Sequence, residues 1–105
     1  EFVWLGPGGT GNVIWGIQAV AISDDDLLDA AFGTAQEVTD GVTATTDKMK
    51  SAATSAVTIA GTPAALDTIK FRVYRKAADG SDTLASDAKL LAVRITVTFT
   101  AHNDA

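Results

Sequence analysis

Apolar and polar residues alternate most strictly in two stretches of this chain. Ile69, Phe71 and Val73 alternate with Lys70, Arg72 and Tyr74, and further on Val93, Ile95, Val97 and Phe99 alternate with Arg94, Thr96, Thr98 and Thr100. A period of two sends every apolar side chain to one face of a pleated strand and every polar one to the other. Strands with one dry and one wet face belong to antiparallel sheets. The polar loop between the two stretches, Ala77 to Asp87, holds the turn dipeptide Asp79-Gly80 and room for a helical turn capped by Asp82.

The same reading carries along the rest of the chain. Residues 1–5 form a strand with aromatics at alternate positions, Phe2 and Trp4. Gly6 to Gly11 is a glycine- and proline-rich loop. Asn12 to Ile22 is a long apolar strand with both faces partly covered, and Gly16 inside it marks a bulge or a close backbone approach. Ser23 or Asp24 can cap a short helix through Phe32, closed by Gly33, with an irregular loop as the alternative. Short strands are expected at Thr34–Val38, Val42–Thr46 and Thr54–Ala60, with a turn at Asp40-Gly41 and an exposed segment at Asp47–Lys50. Pro63 interrupts pairing before the first alternating strand, and the tail from Ala101 is polar.

About six strands and at most one short helix predict an all-β fold, an antiparallel β-sandwich of jelly-roll type. The expected core is Trp15, Ile17, Val57, Ile59, Ile69, Phe71, Val73, Val93, Ile95, Val97 and Phe99. On that reading Phe71→Ala costs about 3–5 kcal/mol. The strand already under way at Glu1 predicts a chain that begins inside a domain, its upstream strands removed or supplied elsewhere. The Glu1-Phe2 pair is also what a common restriction site encodes.

The 105 residues match one domain, 1–105, with enough chain for a core. Eight Lys and Arg against thirteen Asp and Glu give a net charge of −5. An acidic surface argues against nucleic acid, which needs a clustered positive field, and against anionic membranes. With no cysteine, disulfides and thiolate metal sites are excluded.

Five segments, Trp15–Asp26, Ala31–Gln36, Thr58–Ala65, Phe71–Arg75 and Gly80–Ile95, together resemble a family of virion structural proteins from tailed phages, many of aquatic origin. The resemblance spans nearly the whole chain. It implies the C-terminal part of a jelly-roll-like β-sandwich, with more β-structure before the Trp-rich strand. It also implies a location in the virion and a structural role without assigned catalytic residues.

Candidate chemistry is sparse. Lys70, Arg72 and Arg94 should share the outer face of the two paired alternating strands, with Arg75 just beyond, as one positive stripe on an acidic protein. Such a stripe suits an acidic sugar or an acidic neighbour subunit, and it also suits a solvated sheet face guarded by long cations. Tyr74 is out of phase with Phe71 and Val73, so it faces outward and is the aromatic best placed for a ligand, whereas Trp4 and Trp15 belong to the core.

Asp24, Asp25, Asp26 and Asp29 are the place to look for calcium. They lack the spacing and glycine of a calcium loop, and helix capping accounts for them without metal. Asp82 and Asp87 are a carboxylate pair of the kind glycoside hydrolysis uses. Nothing around them suggests a cleft; Asp82 as a cap, and Asp87 closing a turn or pairing with Arg94, is the simpler reading. His102 is the only histidine and sits in the tail, leaving the serines without a general base. No cofactor is expected.

Three functions follow, in order. The first is a non-enzymatic virion module (fibre, spike or head decoration) working as a homo-oligomer or against neighbouring virion subunits. The second is a carbohydrate-binding module for host surface glycans. The third is a hydrolase.

Overall fold

The computed structural model describes residues 1–6, 8–43 and 48–98, and every strand it contains lies in one of two sheets. Seven strands follow in chain order: β1 (Phe2–Leu5), β2 (Asn12–Ile22), β3 (Gln36–Gly41), β4 (Lys48–Lys50), β5 (Ile59–Ala60), β6 (Thr68–Arg75) and β7 (Lys89–Val93). The all-β, sandwich-like architecture is the one the alternation demands. Among the described residues there is no helix.

The first sheet has the order β4-β1-β7, antiparallel throughout. The second is built on β2, which pairs with β6 along residues Trp15–Ile22. Trp15, Gly16 and Ile17 also pair with β3, and Ala19 and Val20 also pair with β5. A strand has two edges, so β3 and β5 must follow one another along the edge opposite β6. The β2–β5 pairing is parallel, a short exception to the antiparallel scheme expected.

The core forms where inward residues of the two sheets meet. Phe2 and Trp4 of β1 and Met49 of β4 face Val13, Trp15 and Ile17 of β2. Phe2 stacks on Trp15 at 5.9 Å between ring centroids, and Trp4 meets Trp15 edge-on at 6.1 Å. Such aromatic pairs add about 0.5–1.5 kcal/mol beyond the area they bury. The indole N–H of Trp4 donates to Asp40 Oδ2 at 2.8 Å, tying the first sheet to β3 of the second.

One end of the sandwich is closed by the β6–β7 connection. Leu84 is buried in the core cluster. Its N–H and that of Thr83 both donate to the Asn12 carbonyl, while the Asn12 N–H donates to Thr83 Oγ1. Gly11, at φ 136°, lies under this connection; a Cβ there would stand 2.9 Å from the Leu84 backbone. Asp82 does not cap a helix. Its carboxylate takes two hydrogen bonds from Arg75, at 2.7 and 3.0 Å, and one from the Ile14 N–H.

The other end is open, and there the expected core is corrected. Trp15 and Ile17 are buried, and Val57, Ile59, Ile69, Val73 and Val93 are half-buried, but Phe71 is 39 % exposed, Ile95 49 % and Val97 65 %. Phe99 lies outside the described residues. Phe71, Ile95 and Val97 do line the space between the sheets, as their parity predicts. What fails is coverage, because β7 ends at Val93, the Arg94 N–H still donates to the Glu1 carbonyl, and residues 95–98 lie in no strand among the described residues.

Four further expectations are corrected. Residues 23–33 form turns rather than a helix, because the segment buries no apolar stripe and leaves Leu27 and Leu28 exposed. Asp40-Gly41 continues β3 instead of turning. Lys48-Met49-Lys50 is a strand with Met49 buried. The two alternating stretches do not pair with each other: β6 belongs to one sheet and β7 to the other.

Candidate functional site

Of the four cations expected to form a positive stripe, Lys70 and Arg72 share a face, joined there by Tyr74, whereas Arg75 turns to Asp82 and Arg94 lies elsewhere. On the outer face of the second sheet, register sets Lys70 beside Val20, Arg72 beside Gln18, and Tyr74 beside Gly16. Glu37 of β3 flanks Gly16 from the other side. Arg94 lies on the first sheet, where its guanidinium pairs with Glu1 at 3.5 Å. It has no share in the stripe, and its partner is not Asp87. The separation follows from β6 and β7 entering different sheets.

The outer face is largely engaged with itself. Tyr74 reaches across Gly16 and donates its hydroxyl to Glu37 Oε1 at 2.8 Å. The ring lies so close to Gly16 that a Cβ there would fall 2.3 Å from Tyr74 Cζ, so glycine at this position makes the crossing possible. The expected bulge or backbone approach at Gly16 is thus corrected: what comes close is a side chain. The Arg72 guanidinium sits 5.2 Å from the Tyr74 ring centroid and donates to Gln18 Oε1 at 3.2 Å. Lys70 donates to the Leu28 carbonyl and stands 5.1 Å from the Phe32 ring centroid.

The titratable groups follow these contacts. Hydrogen bonds from Tyr74 and then Lys76 hold the Glu37 carboxyl below its ordinary range. Burial, then the Glu37 contact, pushes the Tyr74 hydroxyl up. The paired Glu37 raises Lys76. The Arg75 hydrogen bonds, with the Ile14 N–H, lower Asp82 against the opposing effect of burial. None of these groups is poised to exchange a proton near neutrality, and each shift has a structural partner that explains it.

The acidic segment is a set of loop-bracing contacts. Asp26 Oδ2 accepts the Ser23 N–H at 2.9 Å, Asp67 accepts the Ser23 hydroxyl at 2.8 Å, and Asp25 adopts a positive φ of 68°. Asp24, Asp25, Asp26 and Asp29 are all exposed. Among the described residues no three His, Cys, Asp or Glu side chains are grouped to hold a metal ion. His102 lies outside the described residues.

The feature that residue chemistry did not announce is the open end of the sandwich. There the two sheets enclose a trough of about 710 Å³. Its floor and one side are Ile17, Ile69 and Phe71 from the second sheet; Val93, Ile95 and Val97 form the other side, and the crossing segment 53–57 closes the third. The lining is mostly apolar, with threonine and serine at the rim. Sequence held the signal in the unbroken alternation through Val97, a strand pattern that meets no strand among the described residues. Comparison with protein-family models, with curated proteins and with solved structures finds no match to this chain.

Proposed function

We propose that this chain is a non-enzymatic assembly module that works by joining neighbouring subunits, and that it serves in a virion as part of a fibre, a spike or the head decoration. The observation that carries the reading is the apolar trough. Inward-facing Phe71, Ile95 and Val97 remain exposed because nothing in the described chain covers them. Contiguous exposed apolar surface of this kind marks an interaction site more often than a solvated one. The virion assignment rests on the resemblance of Trp15–Asp26, Ala31–Gln36, Thr58–Ala65, Phe71–Arg75 and Gly80–Ile95 to tailed-phage structural proteins, in which such a sandwich is the jelly-roll-like C-terminal part. Sedimentation equilibrium over a wide concentration range tests the assembly reading. A reversible oligomer is expected, and a monomer at every concentration would overturn it.

A glycan-binding module is the second reading, favoured by the adjacent Tyr74, Arg72, Gln18 and Lys70 on one flat sheet face. It ranks below assembly because the Tyr74 hydroxyl and the Arg72 guanidinium already bond within the sheet. A glycan array separates the two. Binding that disappears in Tyr74→Ala and Arg72→Ala supports this reading, and a blank array removes it.

A further inference from the structure

We propose that the outer face of the first sheet receives the acidic loop tip of another copy of this chain, so that copies join head to tail. This contact rests on the assembly reading and names the two surfaces that carry it.

Strand register builds the receiving face. Phe2 and Trp4 point into the core, so Val3 and Leu5 point away from it. Leu5 stands opposite Lys48 on one side and Lys89 on the other, and Val3 stands opposite Lys50 and Ala92. Lysines far apart in sequence thus gather around two apolar side chains, on strands about 4.8 Å apart. Lys48, Lys50 and Lys89 are exposed, and no carboxylate among the described residues pairs with them. Glu1, at the margin of the face, is held by Arg94, and Asp87 exerts its field on Arg75 of the second sheet. A chain of net charge −5 therefore carries one distinctly positive sheet face. Lysines on edge strands such as β4 and β7 deter pairing at the edges, but they leave the face between them open.

The tip is the complement of this face. Loops 23–33 and 61–67 leave the second sheet where Ile22 pairs with Thr68, and Asp67 ties them together through the Ser23 hydroxyl. Between them lies a groove of about 540 Å³ lined by Asp24, Leu28 and Leu66. Asp25, Asp26 and Asp29 stand exposed on the same loop, while Lys70, the cation lining the groove, is bonded to the Leu28 carbonyl. Leu27 and Leu28 are each 76 % exposed and Leu66 is wholly so. Leu66 also sits at φ 72°, a conformation unfavourable for leucine, and its side chain buries nothing in this chain. Carboxylates around apolar side chains on the tip match lysines around apolar side chains on the face. Either surface set against itself would bring like charges together, which selects the head-to-tail arrangement over a twofold one.

Within one copy the two surfaces cannot meet. The face points away from the second sheet, which carries the tip. The first sheet packs over Val13–Ile17, and from Ile17 to Ile22 is roughly 17 Å of strand. Ile69 lines both the tip groove and the trough, so a neighbour held at the tip stands beside the open end.

Charge exchange tests the pairing. K50E/K89E inverts the face and D24K/D29K inverts the tip, all at exposed positions, and thermal melts check that the fold persists. In sedimentation equilibrium each variant alone should show a dissociation constant raised at least about tenfold, because like charges then meet at every contact. An equimolar mixture of the two variants should associate as the wild type does, since the acidic tip of one meets the lysine face of the other and the inverted pair also attracts. Leu66→Gly relieves the positive φ and removes the exposed side chain, so it should weaken association without lowering the melting temperature. Association unchanged in both charge variants, or weakened in them without recovery in the mixture, would overturn this pairing while leaving assembly standing. A chain that never associates would overturn both.

Discussion

At the scale of single residues, contacts between the closed end and the rest of the sandwich set the costs. Asp82 has its side chain fully covered and neutralises Arg75 while accepting the Ile14 N–H. Asp82→Ala leaves both donors without that acceptor and is expected to cost about 3 kcal/mol, measured by urea denaturation near neutral pH. The pH dependence has a definite sign. The folded-state pKa of Asp82 is lowered, chiefly by Arg75, so its contribution is complete above the unfolded aspartate value of about 3.9. It is lost as pH falls through the folded value. The gap between wild type and Asp82→Ala should therefore narrow under acid and stay constant between about pH 5 and 8.

Exposure separates the apolar residues in the same way. Trp15→Ala opens a cavity under two other aromatics and should cost about 3–5 kcal/mol, while Phe71→Ala, at the trough, should cost about 1–2 kcal/mol in the dissociated monomer. Equal costs in monomer denaturation curves would mean that the trough is already filled.

At the scale of elements, β2 organises the second sheet, and its bounds were legible residue for residue because Val13, Trp15, Ile17 and Ala19 keep phase without a breaker. The alternation over Ile69–Tyr74 located β6 to within one residue at each end for the same reason. The partners of these strands were not. Alternation defines a strand's two faces and says nothing about which edge meets which neighbour, so β6 and β7 looked like a pair and are not. Arg94 was misplaced with them.

Short strands were harder still. Lys48-Met49-Lys50 offers a single apolar residue, too little for a periodicity, yet Met49 is part of the core. Asp40-Gly41 has turn composition but stays extended, because Asp40 is held opposite Val13 and accepts the Trp4 indole. Trp4→Phe keeps most of the buried ring and removes that inter-sheet bond to a carboxylate, with an expected loss of about 1.5–3 kcal/mol in the same denaturation experiment. At Gly16 the glycine signalled crowding, but by a side chain from β6 rather than by a backbone. Gly16→Val would force Tyr74 off the sheet and should destabilise by about 1–3 kcal/mol, with loss of the Tyr74–Glu37 hydrogen bond.

At the scale of the whole molecule, the closed end and the open end differ in what holds them. The closed end has aromatic packing, a buried ion pair and a connection bonded back onto Asn12. The open end has facing apolar residues with an open trough between them. The residues that line it could be picked from the alternation alone, but not the fact that they stay uncovered, since coverage depends on how many strands each sheet contains. On the proposed assembly reading, an open end of this kind is where a neighbouring subunit would bind.

The most direct measurement is amide hydrogen exchange at Ile95, Thr96, Val97 and Thr98, followed at low and at high protein concentration. Slow exchange at these four amides that appears only when the protein is concentrated is the expected result, with β2 protected throughout. Fast exchange at both concentrations would contradict an assembly surface at the open end.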